Sequence, residues 1–224
     1  MKTILFAAAA LTGALAANTA SAAPAISAEI GTTGLGLHLT LPVSANLNSR
    51  FGFNAFNYDT SGNTDDAEYD AKLKLNTIDA LLDYYPMAGS GMRLTGGLVY
   101  NNNKIDIVAR SNDSSTYTFN GNTYVANQVG EVDGRIDFRK VAPYLGFGWG
   151  NALGSKSGWS FTSDFGVMFQ GSPNTSLTSR NCALDPALCE RLAVDLEQEN
   201  RQLQDDADSF RFFPVIRVGI SYRF

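Results

Sequence analysis

Residues 210–224 read F-R-F-F-P-V-I-R-V-G-I-S-Y-R-F. The even positions Phe210, Phe212, Pro214, Ile216, Val218, Ile220, Tyr222 and Phe224 are apolar, whereas the odd positions include Arg211, Arg217, Gly219, Ser221 and Arg223. A period of two is what a β-strand imposes, because successive side chains point to opposite faces of the sheet. One face of this strand is apolar and the other is charged. Such a strand either covers a soluble core or sets its apolar face in a bilayer, and the rest of the chain decides between the two.

The pattern recurs along the chain. Leu35, Leu37, Leu39 and Leu41 alternate with Gly34, Gly36, His38 and Thr40, and Leu47, Phe51, Phe53 and Ala55 oppose Arg50, Gly52 and Asn54. Ile78, Ala80, Leu82 and Tyr84 alternate with Asp79, Leu81, Asp83 and Tyr85; Met92, Leu94, Gly96, Leu98 and Tyr100 alternate with Arg93, Thr95, Gly97 and Val99. Val141, Pro143, Leu145, Phe147 and Trp149 oppose Ala142, Tyr144, Gly146 and Gly148, and Trp159, Phe161, Phe165, Val167 and Phe169 oppose Ser160, Thr162, Asp164, Gly166 and Gln170. Short turns at 42–46, 86–91 and 150–158 join these stretches into hairpins. With 210–224 they make seven strands, yet closed barrels of single bacterial chains normally have an even number. The eighth is either 23–31, folding back through Gly31-Thr32-Thr33, or 174–180, following Gly171-Ser172-Pro173. The first makes a short strand but preserves the assignment of loop sides, which the second reverses, and it is favoured.

The N-terminus reads as an export leader. Lys2 precedes an apolar run at 4–17 that is too short to span a bilayer, and Ala20-Ser21-Ala22 offers a cleavage site, which divides the chain into a leader at 1–22 and one barrel domain at 23–224. No cysteine near that site suggests a lipid anchor. The composition, with 44% hydrophobic and 11% aromatic residues and 21 glycines, suits many short strands. A formal net charge of -5, more negative once Lys2 departs, makes nucleic acid an improbable partner. Cys182 and Cys189 lie close together in an exported chain, so a local disulfide is expected rather than a metal pair, contributing roughly 2–3 kcal/mol in the chain-entropy model.

Depth is encoded as well. From each short turn the alternation runs for roughly nine to eleven residues, the length of a tilted transmembrane strand, and then changes parity. Leu73 and Leu75 are out of phase with Ile78 and Ala80, Ile105 and Ile107 with Leu98 and Tyr100, and Ile136 and Phe138 with Val141 and Pro143. Each slip is expected to need a bulge or a strand leaving the sheet. The short turns are read as periplasmic, with strands continuing outward into the longer loops. Residues 59–70 carry five acids and no base, which reads as an exposed loop, with divalent-cation binding as a sharper alternative despite spacing unlike an EF-hand. Asn120-Gly121-Asn122 marks a small hairpin within 101–133. Asp185-Pro186 followed by Leu188, Leu192, Leu196 and Leu203 reads as a short helix lying on the barrel, or as a helix that binds a partner.

The leader, the alternating strands, the short Pro/Gly turns and the terminal S-Y-R-F resemble the small outer-membrane proteins of the OmpA-transmembrane-domain, OmpX and OmpW type. The resemblance implies an all-β fold: a transmembrane antiparallel up-and-down barrel of about eight strands, with one short helix in a long loop. It implies a porin-like cell-envelope protein of the Gram-negative outer membrane, monomeric, with outer-membrane lipid and lipopolysaccharide as partners. It also implies that the barrel-assembly machinery engages the chain through Phe224.

On the inward face the alternation places His38, Arg50, Asp79, Asp83, Arg93, Asp164, Arg217 and Arg223. A barrel of about eight strands has room inside for side chains or one small ligand, and confined charges must pair. These residues are expected to form a salt-bridged plug with Arg217 at its centre, compensated by Asp79, Asp83 or Asp164. The function expected from that is structural or surface-interacting, with a narrow conduit for small or apolar solutes as the alternative. A lipid-modifying enzyme is less favoured: His38 has Thr40 rather than serine two residues on, and no P-loop, metal cluster or cofactor motif is present. No catalytic residue and no cofactor are expected.

Overall fold

The computed structural model describes residues 23–63, 67–87, 89–111, 116–154 and 157–224. The leader expected at 1–22 lies outside the described residues. The elements in chain order are strands β1 (Ala25–Gly31), β2 (Gly34–Ser44), β3 (Leu47–Asn63), β4 (Ala67–Tyr84), β5 (Met92–Asn101), β6 (Lys104–Ser111), β7 (Thr116–Phe119) and β8 (Asn122–Val125), then helix α1 (Ala126–Val129). Strands β9 (Glu131–Asp137), β10 (Val141–Trp149), β11 (Gly158–Phe169) and β12 (Asn174–Arg180) follow, then helix α2 (Pro186–Ala207), a 3-10 turn (Asp208–Arg211) and β13 (Phe212–Arg223).

Eight of these strands close a ring in chain order, β1-β2-β3-β4-β5-β10-β11-β13, and every neighbouring pair is antiparallel. Closure is made by β1 against β13, from Ala25 opposite Arg223 to Gly31 opposite Arg217. The eighth barrel strand is therefore the N-terminal one. The other candidate, β12, is also a strand but pairs with β9 outside the ring. The short turns after β2, β4 and β10 gather at one end, here the turn end, and the long insertions after β5 and β11 rise from the other, the loop end.

The outward face is apolar and uncovered: Leu35 is 65% exposed, Leu145 62% and Trp159 70%. With Phe51, Phe53, Ile78, Leu94, Leu98, Phe147, Phe161, Ile216 and Ile220 also exposed, this face forms a belt far larger than the apolar patches a water-soluble monomer tolerates. Inward residues of the same strands, among them Ser27, Thr40, Asn54, Thr95 and Ser221, are buried. A barrel that is apolar outside and polar within is inverted relative to a soluble core.

Beyond the belt, β3 and β4 continue together without a break, from Leu47 opposite Tyr84 to Asn63 opposite Glu68. The acidic segment expected as a loop over 59–70 is thus mostly strand, because both faces of the hairpin are open to solvent there and an acid costs little to place. The outer half of β4 leaves β5 and pairs with β6, which pairs with β9, which pairs with β12. The parity changes at 105–107 and 136–138 are strands leaving the barrel, as expected. The change in β4 needs no bulge. Leu73 and Leu75 continue the inward face of Asp79 and Leu81 past the apolar belt, where the inward side becomes the apolar one.

Helix α2 corrects its sequence reading twice. It runs for 22 residues rather than being short, since the polar stretch after Leu196 consists of good helix formers and carries a Glu197–Arg201 pair at 2.7 Å. It also lies on the extension sheet rather than on the barrel. Leu192 and Leu196 bury against Val129, Val132, Tyr124 and Leu177, while Gln204 and Asn200 hydrogen-bond around Thr175. The N-terminus is capped by Asp185, which accepts from the Ala187 amide, and is tied back by the Cys182–Cys189 disulfide. Across the sheet, the β7-β8 hairpin grips the helix through Asp195. Its carboxylate accepts from Asn120 Nδ2 at 3.1 Å, Asn122 Nδ2 at 2.9 Å and the Tyr124 hydroxyl.

These hydrogen bonds, from Tyr124 first and then Asn120, hold the Asp195 carboxyl below its ordinary 3.8. Burial, and then the bond to Asp195, push the Tyr124 phenol from 10.0 up to about 12. The sign follows by linkage. Asp195 stabilises the docked helix fully above 3.8 and loses its contribution as pH falls through its depressed value. Tyr124 contributes fully below 10.0 and loses it as pH rises towards 12. Limited proteolysis should show α2 protected between these limits and released at both extremes while the barrel stays intact. Asp195→Asn should flatten the acid side of that profile.

Candidate functional site

The barrel interior holds three arginines, one histidine and four carboxylates in one connected cluster. Asp164 and Arg50 form a two-pronged pair, with Oδ2 to Nη1 at 2.6 Å and Oδ1 to Nη2 at 3.1 Å. Arg50 Nε also meets Asp83 at 3.0 Å, and Arg93 bridges Asp164 at 2.9 Å and Asp83 at 3.6 Å. Arg217 Nη1 donates to Asp79 at 2.6 Å, and the imidazole of His38 approaches the same carboxylate at 3.1 Å. All seven of these side chains are buried. Of the three acids that could compensate Arg217, its closest partner is Asp79, and the Arg217 guanidinium also lies over the Tyr144 ring at 5.7 Å.

The eighth member, Glu29 of β1, was missed in the sequence. It sits between three cationic or polar partners at longer range: Arg50 at 3.4 Å, His38 at 3.5 Å and Arg217 at 3.7 Å. The signal was present, because Ala25, Ser27 and Glu29 alternate with Ile26, Ala28 and Ile30, but β1 is only seven residues long and its pattern is short. Arg223, placed in the same network by its parity, lies instead at the turn end, half-buried, where it donates to the Leu153 carbonyl at 2.5 Å.

Inward glycines make the cluster possible. A Cβ on Gly52 would lie 2.1 Å from the His38 ring, and one on Gly148 would lie 3.0 Å from the Arg93 guanidinium. The charged side chains therefore lie flat across their neighbours' backbones. Towards the turn end, the 150–154 segment folds under the lumen: Arg93 donates to the Gly150 carbonyl, and Asn48 meets Asn151 at 3.4 Å. Towards the loop end the interior turns apolar, with Leu81, Val99, Ala142, Tyr144, Met168 and Val215 packed together and Phe213 against them.

Above that apolar layer opens a cavity of about 450 Å³, roofed by the extension sheet. Leu73, Leu75, Ile105, Ile136 and Phe138 line one side, and Phe213 and Pro214 line the other. Phe213 belongs both to the cavity wall and to the apolar layer below. The vestibule thus adjoins the apolar layer at Phe213.

Arg217→Ala should lower unfolding stability in detergent by roughly 3–5 kcal/mol, because it leaves the buried Asp79 carboxylate without its closest cation. Adding Asp79→Asn should restore part of the loss, while adding Asp83→Asn should not. Urea titrations of the three variants check both the magnitude and the choice of partner.

The chain is similar to two solved structures. The crystal structure of Acinetobacter baumannii CarO matches with a TM-score of 0.57 at 22% identity, over 89% of this chain and 97% of that one. The crystal structure of Acinetobacter baumannii CarO2 matches with a TM-score of 0.57 at 22% identity, over 90% of this chain and 99% of that one. No protein-family model matches the chain, and no curated protein does. At that level of identity, what the chain shares with CarO is its fold, an eight-stranded antiparallel barrel.

Proposed function

We propose that the chain is an outer-membrane barrel serving as a narrow, gated conduit for small solutes with an apolar body, described here in its closed state. The observation that carries this reading is the shared wall at Phe213, which lines the vestibule and packs against the apolar layer, while Tyr144 of that layer lies under the Arg217 guanidinium of the ion-pair cluster. Apolar pockets with a few polar groups at their margin are where small ligands bind. Here Gln170, Asn103 and Thr32 supply that margin.

Membrane residence is supported by the uncovered apolar belt with aromatic residues towards its turn end, Trp149, Trp159, Tyr222 and Phe224. The expected membrane side of each end follows the usual asymmetry of short periplasmic turns and long outer loops. The likeness to the OmpA, OmpX and OmpW type rests on this architecture. We keep His38 in the plug rather than in catalysis, since both of its ring nitrogens face carboxylates, Glu29 and Asp79.

A second reading, surface interaction, is favoured by the extension itself. Strands β6, β9 and β12 and helix α2 form a folded platform tied by a disulfide and by Asp195, which is more order than a loose loop requires. The two readings part on conductance. In planar bilayers the conduit reading expects brief, rare openings of the wild-type protein and clearly longer ones for Arg217→Ala or Asp164→Asn. Silence of all three proteins, with insertion verified by heat-modifiable migration, would contradict the conduit and leave the platform as the functional part.

A further inference from the structure

The extension sheet has a second face, opposite the one that carries α2 and roofs the vestibule. It is the direct continuation of the barrel's apolar exterior: on β4 the outward series Tyr84, Leu82, Ile78 runs on into Asn76, Lys74 and Lys72 without a change of register. Ile78, Tyr100 and Val141, cross-strand neighbours that are all exposed, mark the rim of the apolar belt. Lys74 lies four residues beyond Ile78, about 10 Å further along the barrel axis for a tilted strand. That is headgroup height.

At this height the register places Lys74 of β4 directly opposite Lys104 of β6. Like charges facing each other across a sheet destabilise it. Lys104 is partly offset by Asp106 at 3.2 Å, but that carboxylate is shared with Arg135 at 2.7 Å. Neither Lys74 nor Lys72 has a carboxylate within ion-pair distance among the described residues. Lys140, which holds Asn102 Oδ1 at 2.9 Å, adds another cation at the same rim. The acids facing this row are Asp59 opposite Lys72, Asp106, and Asp137 opposite Lys104. Farther from the bilayer the pattern reverses, and Arg110 and Arg180 are each satisfied by two acids. Excess positive charge is thus confined to the edge nearest the lipid.

We propose that Lys74 and Lys104 form a binding site for a phosphate monoester on an anionic lipid headgroup in the outer leaflet. This rests on the outer-membrane reading above. A phosphate seated between the two ammonium groups removes their repulsion, and its acyl chains run down the adjacent apolar face of β4, β5 and β10. The site uses the exterior face of the sheet, and Lys104 also borders the vestibule.

Native mass spectrometry of the protein released from nanodiscs tests the site, with phosphatidylcholine alone compared with phosphatidylcholine containing lipopolysaccharide. The wild-type barrel should retain the lipopolysaccharide over phosphatidylcholine, and Lys74→Gln with Lys104→Gln should lower that retention about tenfold, as expected for losing a charge-assisted contact. Arg180→Gln, on the same face but far from the belt, should retain lipid as the wild type does. In lipid-free detergent each single lysine variant should be as stable as the wild type or more so, because repulsion is relieved; a purely structural pair would lose stability. Unchanged retention by the inserted double variant would overturn the site, and displacement of the lipid by inorganic phosphate at millimolar levels would overturn its assignment to a lipid. A barrel that fails to insert at all would overturn the membrane reading itself.

Discussion

Closing eight strands leaves an interior that must be filled, and in this chain charge fills it. The pairing of Arg50 with Asp164 spans the lumen from β3 to β11, two strands that do not touch in the ring. Around it, Arg93 and Asp83 close one side, and Arg217, Asp79, His38 and Glu29 close the other. Buried in the lumen, such charges are tolerable only as a connected set, since any one removed leaves its partners unpaired. Burial of polar side chains inward and exposure of apolar ones outward are two results of the same requirement. A polar filling demands strands whose other face can only be apolar if the barrel is to sit in lipid.

That coupling is why so much of the barrel was legible in the sequence. A period of two assigns every residue of a strand to one of two faces, so a single correct reading of β13 fixes the direction of Arg217, and likewise for Arg50, Asp79, Asp83, Arg93 and Asp164 on their strands. Which acid compensates which arginine was not legible. Partner choice depends on stagger and tilt, properties of the closed ring rather than of any one strand. Glu29 was overlooked because β1 offers too few residues for its pattern to stand out, and Arg223 was misplaced because parity gives a direction but not a depth.

Outside the barrel the sequence was harder to read for a physical reason. There the inward side faces a vestibule and a helix while the outward side is polar and charged, so the apolar residues exchange faces although β4 itself runs straight. A change of phase that suggested a bulge is a change of surroundings. Helix α2 reads as short in the sequence because Leu192 and Leu196 are its only large apolar residues that are buried, and the remaining turns are held by polar contacts of Gln204, Asn200 and Asp195.

The central claim is that the interior charges act as one coupled set holding the lumen shut. A double-mutant cycle on Arg50→Met and Asp164→Leu, read by urea unfolding in lipid vesicles, tests it most directly. The account predicts that each single change is strongly destabilising and that the double variant loses far less than their sum, with a coupling of at least about 2 kcal/mol. Additive losses would contradict it, for they would mean that the two residues meet water rather than each other.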